Sequence, residues 1–426
     1  PNIRPLLDFN FAATKKLDPR LEYQRSGPAS FVNEFGKVVL VGGNTPRFDH
    51  DPVTRESKGF LIEESRTNYA VYSTTVSNEY GSYYNMINGA VLVNNAGVAP
   101  DGTNTATKMY PASSGAARGI EDIYSLPGSS ASWTTSIYVK AAGHTGWIGL
   151  YGVNGSAIAH FNPSTGTKGG TTSGGAITDY DIIDAGNGWY RIYITMTENP
   201  SSGNEYFYIY FADANNSVTV THSGTNCILM WGLQVEQGTF PTSYIPTNGS
   251  TATRGVDLCQ ITGEDFSDFY NQSEGTIVSE HSIATGVASG DNTYVYQVDD
   301  GNDLNVAFRL LDHNSAHGDV LRTYGFLSNN WSSTLYGTQT STPDHDSFLK
   351  VAVGIKKDDF GVNFFGGTTY TDTSGDINVD MTQLTIGNHR GGTAPLQGYL
   401  RRFIYCLLYT SPSPRDLSTS RMPSYA

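Results

Sequence analysis

Polar side chains that could carry chemistry gather in short segments of the second half of the chain. Asp312, His313 and Asn314 stand together in LLDHNSAHGDVL. Asp and His could act as base and acid beside a sugar, or hold a divalent ion together with the Asn oxygen. A solvated loop between two strands explains the same residues, because short Asp/His/Asn strings are common in turns. The segment is a candidate ligand site with an ordinary structural alternative.

The segment VDDGND is a candidate calcium site. Asp299, Asp300, Asn302 and Asp303 supply oxygen ligands around a glycine, which is the chemistry that Ca²⁺ prefers. The spacing does not match an EF-hand loop. A structural Ca²⁺ is therefore the one cofactor that the sequence suggests.

Aromatic side chains beside turns are candidate sugar-stacking groups. A sugar ring presents one apolar face that packs on an aromatic plane, while its hydroxyls bond to fixed polar side chains. Trp147, Tyr151 and Trp189 lie next to turn signals, and Trp331 follows two asparagines in a polar segment. For each of them, burial in a core is the alternative.

No local motif in the sequence marks an enzyme. The chain contains no GxSxG, no HExxH, no P-loop and no dinucleotide-binding glycine pattern. Glycosidases and polysaccharide lyases position their acids and bases through the fold, so a depolymerase with its cleft in the second half stays an open alternative. Catalytic residues are unknown from sequence.

The composition of the 426 residues is typical of short strands and many turns. The chain has 27 Tyr, 19 Phe and 47 Gly, while charged residues make up only 15%. A formal net charge of -14 disfavours nucleic acid and membrane as partners, because both attract basic patches, and leaves neutral glycans open. No apolar stretch is long enough for membrane insertion, and three widely spaced cysteines predict no disulfide framework.

The pattern along the chain predicts strands separated by Gly, Asn and Pro turns. In CILMWGLQVE, alternation places Leu229, Trp231, Leu233 and Val235 on one inward face. A hairpin is expected in KVAVGIKKDDFGVNFFGG. The Pro- and Ser/Thr-rich segment 241–254 reads as a domain boundary. Arg20, Arg47 and Arg66 each lie near carboxylates and predict structural ion pairs at turns.

These patterns predict an all-β protein with tandem antiparallel β-sandwiches. We expect an extended N-terminal region over 1–66, a first sandwich over 67–247, a second sandwich over 254–405, and a tail over 406–426. The tail is rich in Ser, Pro and Arg and is expected to be disordered. It also closely resembles a translated sequencing adapter of the kind found at the ends of metagenomic assemblies, which would make it an artefact.

Five segments together resemble tail-fibre and minor tail proteins of tailed bacteriophages. They are LDPRLEYQRSG, TPRFDHDPVT, GFLIEESRTN, WGLQVEQGTFPTSYIPTNGSTATR and ITGEDFSDFYNQSEGTI. The resemblance implies a jelly roll similar to carbohydrate-binding modules, followed by a concanavalin A-like (laminin G-like) sandwich. It also implies a place in the virion tail, facing outward, with other tail proteins as partners and a trimeric state by analogy. One departure is RSGPAS, where a Thr-rich string is expected.

The leading hypothesis is a virion tail protein that binds bacterial surface polysaccharide and so recognises the host. The alternatives are a polysaccharide depolymerase, with its active cleft in the second sandwich, and a purely architectural tail spacer. Exposure of Trp147, Trp189 and Trp331 in a cleft favours binding, whereas their burial in cores favours the spacer.

Overall fold

The computed structural model describes most of the chain, and its regular structure is almost entirely antiparallel β-sheet. This confirms the predicted fold class. The described residues are 5–77, 84–128, 130–152, 157–172, 177–198, 204–283, 292–301, 306–314, 321–326, 334–338, 348–364, 367–374 and 380–407. No helix among these residues has the length and apolar character needed to cross a membrane.

The first sandwich consists of two six-stranded sheets, here called the inner and outer sheets. In spatial order, the inner sheet contains β17 (Ile177–Asp184), β18 (Tyr190–Glu198), β13 (Ala131–Ala141), β21 (Ile228–Gln237), β10 (Ala106–Pro111) and β9 (Ala90–Gly97). The outer sheet contains β16 (Thr167–Thr172), β15 (Ile158–Asn162), β14 (Trp147–Tyr151), β19 (Asn204–Ala212), β12 (Gly119–Ser125) and β8 (Tyr84–Ile87). A short ribbon pairs β11 (Gly115–Ala116) with β20 (Thr219–Val220).

The second sandwich consists of an eight-stranded and a seven-stranded sheet. The eight-stranded sheet contains β31 (Thr369–Asp372), β30 (Asp359–Phe364), β29 (Leu349–Lys356), β24 (Glu274–Ile283), β33 (Gly398–Cys406), β6 (Ser57–Ile62) and β5 (Phe48–His50), with β1 (Leu7–Asn10) also paired to β33. The seven-stranded sheet contains β2 (Glu22–Gln24), β23 (Leu258–Thr262), β32 (Gln383–Ile386), β25 (Asn292–Asp299), β26 (Val306–Asn314), β27 (Leu321–Phe326) and β28 (Thr334–Thr338).

Short elements complete the described structure. They are the ribbon of β3 (Ala29–Val32) with β4 (Val38–Val41), the ribbon of β7 (Arg66–Asn68) with β22 (Ala252–Arg254), the helices α1 (Phe11–Thr14) and α2 (Gly263–Ser267), and a 3-10 turn at Arg390–Gly392. The expected hairpin is confirmed, because Lys356 pairs with Asp359 across a two-residue turn between β29 and β30.

The N-terminal region differs from the separate unit expected over 1–66. Its strands β1, β5 and β6 extend the sheet that β33 closes, and β2 pairs with β23. The chain leaves the second sandwich through β7 and returns through β22, which pair with each other. The first sandwich is therefore an insertion within the second, and the boundary segment 241–254 is its return path. The sequence does not indicate this pairing, because the paired strands lie hundreds of residues apart in the chain.

A β-bulge at Gly232 corrects the expected single inward face of β21. Gly232 has φ of +67°, and the pairing register with β13 shifts there. An extra residue in a strand reverses the side on which the following side chains lie. Leu233 and Val235 consequently join the core between the two sheets, whereas Trp231 and Leu229 pack on the opposite side, toward the junction with the rest of the chain.

A buried ion network lies where the two sandwiches meet. Arg47 contacts Glu63 at 2.5 Å and Asp257 at 2.6 Å, and all three side chains are nearly inaccessible to solvent. Arg254 contacts the same Glu63 at 3.1 Å, and Arg25 approaches Asp257 at 3.5 Å. The network joins four separate segments of the chain. If one segment moved away, a charge on another segment would stay buried without its partner.

The three arginines that were expected to form ion pairs at turns differ in their partners and in their burial. Arg20 pairs with Asp18 at 2.8 Å within a turn, as predicted. Arg66 pairs with the nearby Glu64. Arg47 instead pairs with carboxylates far away in sequence and is fully buried.

The end of the described chain lies in the second sandwich. Cys406, assigned by sequence to the tail, is the last residue of β33 and pairs with Thr276. The remaining tail, 408–426, lies outside the described residues.

Candidate functional site

A row of tyrosines lies on the outer sheet, on the side that faces away from the sandwich core. In β19, the alternate residues Phe207, Ile209 and Phe211 are fully buried in that core. The residues between them are therefore directed to the other side of the sheet. These are Tyr206, Tyr208 and Tyr210, and with Tyr151 of the neighbouring β14 they define what we call the tyrosine face.

The rings of the tyrosine face contact one another closely. The Tyr206 and Tyr208 centroids are 6.2 Å apart with planes inclined by 16°, and those of Tyr208 and Tyr210 are 5.6 Å apart at 21°. Tyr151 meets Tyr208 and Tyr210 edge to face at 5.7 and 5.3 Å. Rings that are packed against each other lose little further freedom when a ligand binds, so the surface is preorganised.

A polar row crosses the same face at the level of Tyr208. Strand pairing aligns Asn85, Glu121, Tyr208 and Tyr151 on four adjacent strands. The Asn85 amide donates to Glu121 Oε1 at 3.1 Å, and strand pairing places this carboxylate directly beside Tyr208. Burial and the Glu121 carboxylate raise the pKa of Tyr208 to about 12, so the phenol stays protonated at neutral pH.

Two glycines flank the ring of Tyr210 on the neighbouring strands. Tyr210 lies between Gly119 on β12 and Gly149 on β14. A Cβ at Gly119 would lie 2.8 Å from the Tyr210 ring, closer than normal packing allows. The spacing of small and aromatic residues in these strands therefore shapes the face.

Trp147, one of the expected stacking residues, extends the tyrosine face along β14. It is half-buried and lies two residues before Gly149 and four before Tyr151, so alternation places all three on one side. A Cβ at Gly169 would lie 2.6 Å from the Trp147 ring, so the indole packs over this glycine. Two of the four aromatic residues singled out from the sequence, Trp147 and Tyr151, thus belong to one surface.

The position of Trp189 does not fit the expected role in sugar stacking. Trp189 is only 2% exposed and packs with Tyr138, Trp231 and Tyr244. This cluster lies on the inner sheet, on its side facing the N-terminal strands, where Val38 joins it. At this cluster the inner sheet is covered by the N-terminal part of the chain, whereas the tyrosine face is on the far side of the first sandwich.

The Asp312, His313 and Asn314 segment is not the loop that turn chemistry suggested. The three residues lie within β26, where Asp312 pairs with Thr293 and with Thr323 on its two sides. Ladder pairing on both sides makes this a sheet-interior position rather than a turn. Trp331 lies outside the described residues.

The expected calcium ligands are only partly described, and Asp299 is turned inward. Its carboxylate accepts hydrogen bonds from Gln297 Nε2 at 2.6 Å, Gly301 N at 2.7 Å and Gln383 Nε2 at 2.7 Å. Burial raises the pKa of Asp299, although these donors oppose the effect. Such a carboxylate is occupied by amide groups and does not resemble a loop ligand awaiting a metal.

The rest of this segment offers little geometry for calcium. Asp300 is half-buried, and Asn302 and Asp303 lie outside the described residues. Among the residues that are described, no three His, Cys, Asp or Glu side chains come together as a metal site.

A cavity of about 220 Å³ opens at the junction of the two sandwiches. Asp49 lies in its wall, and its carboxylate accepts hydrogen bonds from Tyr399 OH at 2.9 Å and from Val32 N. Burial raises the pKa of both Asp49 and Tyr399. The Asp49 carboxylate is therefore engaged within the protein.

Sequence reasoning missed Tyr206, Tyr208 and Tyr210, as well as Glu121 and Asn85. The sequence predicts a strand at NEYFYIYFA, and its tyrosines recur at every second position, which places them on one side of a sheet. This two-residue period is the signal in the sequence that could have identified the tyrosines as one surface. The alignment of Glu121 and Asn85 beside them depends on register between strands, which the sequence does not reveal.

No protein-family model matches the chain, and no curated protein sequence matches it. Among solved structures, it is similar to the Ruminococcus gnavus IT-sialidase CBM40 bound to alpha2,3 sialyllactose, with 17% identity over 34% of this chain and 80% of that one, at a TM-score of 0.27. It is also similar to the mouse laminin alpha1 chain, domains LG4-5, with 10% identity over 76% of this chain and 88% of that one, at a TM-score of 0.23.

A third similar structure is the binding domain of Botulinum neurotoxin DC in complex with rat synaptotagmin II. Identity is 10%, 38% of each chain is covered, and the TM-score is 0.28. Similarities of this size carry no argument about ligand. The architecture given above rests on strand pairing alone.

Proposed function

We propose that this protein binds carbohydrate through the tyrosine face of its first sandwich. The observation that carries the proposal is the row of Tyr206, Tyr208 and Tyr210 beside Tyr151, with the Glu121 carboxylate in the middle. Ring carbon supplies an apolar surface for the C–H side of a sugar, and the carboxylate accepts from its hydroxyls. Tyr151, Tyr206 and Tyr208 are half-buried and Tyr210 is buried, and these rings lie on the side of the sandwich opposite the junction.

We further propose that this binding serves attachment of a bacteriophage tail to bacterial surface polysaccharide. The resemblance of the five segments to tail-fibre and minor tail proteins supports this role, and the described residues form two sandwiches of antiparallel sheets. An open face with few contacts per sugar would bind weakly. A multimeric fibre would strengthen attachment by raising the effective concentration of sites.

Binding to a bacterial glycan array is the test, with Tyr208→Ala as the probe. Loss of one central aromatic contact is expected to weaken the best glycan by at least about fivefold, corresponding to about 1 kcal/mol. Tyr110→Ala is the matched control, because Tyr110 is also half-buried but lies in β10 of the inner sheet. Equal affinities for wild type and Tyr208→Ala would refute the assignment of the site.

The same glycans distinguish binding from cleavage. Incubation with the protein, followed by size analysis of the polysaccharide, should leave its length unchanged. Progressive shortening would instead favour the depolymerase alternative. Absence of binding to any glycan, even for a cross-linked multimer, would favour the architectural one.

A further inference from the structure

The outer sheet carries few basic side chains, and the inference drawn from this distribution rests on the proposed function. The strands β8, β12, β14, β15, β16 and β19 contain no arginine, and Lys168 is their one lysine. Lys168 Nζ lies 4.2 Å from the centre of the Tyr180 ring and 3.8 Å from Asp181, both on β17 of the inner sheet. It is therefore engaged away from the tyrosine face.

The other basic groups near this sheet are also occupied. Arg118, just before β12, donates to the backbone carbonyls of Asn88 and Ser114. The two ring nitrogens of the buried His160 contact the carbonyls of Gly170 and Ser217 at 3.1 and 3.0 Å. In the described part of this sheet, no cation is left to pair with a carboxylate or phosphate on a ligand.

The centre of the tyrosine face is rich in hydrogen-bond acceptors. Glu121 accepts from Asn85 Nδ2 at 3.1 Å, which leaves part of its roughly four lone-pair positions open. A ligand must therefore bring donors, and sugar hydroxyls do so. A carboxylate or sulfate brings only more acceptors and a like charge.

We propose that the tyrosine face selects glycans whose contacting sugars carry no anionic group, and that Glu121 is the residue that excludes acidic sugars. Neutral hexoses donate to Glu121 while packing on the rings. Uronic acids, sialic acids and phosphorylated sugars meet, at the centre of the site, a carboxylate that no cation of the described part of this sheet neutralises. Discrimination of this kind comes from a repulsive element built into the surface.

The test compares a neutral oligosaccharide with the same oligosaccharide after oxidation of its primary alcohols to carboxylates. The neutral member is the best neutral binder from the array. At 50 mM salt, we expect the oxidised form to bind at least about tenfold more weakly, and the gap to narrow at 500 mM salt because ions screen the repulsion. Glu121→Gln should reduce the ratio between the two affinities to less than about threefold, and Glu56→Gln, an exposed carboxylate of the other sandwich, should not change it.

The outcomes separate this inference from the proposed function. Equal or tighter binding of the oxidised glycan, still lost in Tyr208→Ala, overturns the inference and leaves carbohydrate binding at this face intact. If Tyr208→Ala binds the neutral glycan as tightly as the wild type does, the assignment of the binding site itself is wrong. The salt dependence is measured on the wild-type protein, so the inference is tested even if Glu121→Gln does not fold.

Discussion

Substitution of Glu63 by Gln is expected to destabilise the junction between the two sandwiches. Glu63 lies between Arg47 and Arg254, at 2.5 and 3.1 Å, and also accepts from Ser243 N at 2.8 Å. Burial alone would raise the pKa of Glu63, but the charges of Arg254 and Arg47 outweigh it and lower the pKa to about 2. With Gln at this position, Arg254 loses its ion pair, and the buried guanidinium groups of Arg47 and Arg25 share the carboxylate of Asp257.

The size of the expected loss of stability follows from the pKa of Glu63. A fall from the ordinary 4.5 to about 2 corresponds to about 3 kcal/mol of stabilisation near neutral pH. Loss of one partner from a buried ion pair generally costs about 3 to 5 kcal/mol, which agrees. Because the folded-state pKa lies below the unfolded one, this stabilisation is fully present above about pH 4.5 and is lost as the pH falls toward 2.

Urea unfolding followed by circular dichroism at several pH values measures the effect. At pH 7, Glu63→Gln should be less stable than wild type by about 3 kcal/mol. The difference should shrink between pH 4.5 and 3, because protonation of Glu63 in the wild type mimics the amide. Glu34→Gln is the control, since Glu34 pairs with Lys15 on the surface and should change nothing measurable. A difference near zero at pH 7, or one that persists unchanged to pH 3, would refute the reasoning.

Further predictions concern the bulge, the thiols and the tryptophans. Gly232→Ala should cost about 1 to 3 kcal/mol, visible as a lower melting temperature in calorimetry, because its φ is +67° and a Cβ would lie 2.9 Å from Tyr138. Burial raises the pKa of the Cys259 thiol, so iodoacetamide at pH 8 should modify it only after unfolding, as mass spectrometry will show. Trp189→Ala should cost about 3 to 5 kcal/mol in thermal unfolding and leave glycan affinity intact, whereas Trp147→Ala should weaken glycan binding in titration calorimetry.

The sequence predicted the class of the fold because alternation and turn residues are local properties. Strand-length alternation and the Gly, Asn and Pro turns indicated antiparallel sheets, and the KVAVGIKKDDFGVNFFGG hairpin followed from its own residues. Trp147 and Tyr151 could be chosen as candidates because aromatic residues beside turns are visible in the chain, and the structure places both on the tyrosine face. The period of the tyrosines in NEYFYIYFA is equally local and could have been recognised.

Local signals failed where a position depends on distant partners. Nothing near β1 shows that it will pair with β33, almost four hundred residues later, so the sequence pattern predicts a separate N-terminal region. The alternation of β21 gave the wrong face for Trp231, because a single bulged residue at Gly232 reverses the side on which side chains lie. Trp189 is beside a turn but is covered by Val38 from another part of the chain.

The sequence by itself determined that this protein is built from antiparallel strands, acidic overall and rich in aromatic and hydroxyl groups. Only the tertiary structure decided which aromatic rings share a surface, because register between β12, β14 and β19 sets that proximity. It also decided that Arg47, Glu63 and Asp257 form one buried network rather than separate pairs at turns. Burial makes unpaired charge costly, so these groups fix how the two sandwiches join. The tyrosine face lies on the side of the first sandwich that is away from this junction.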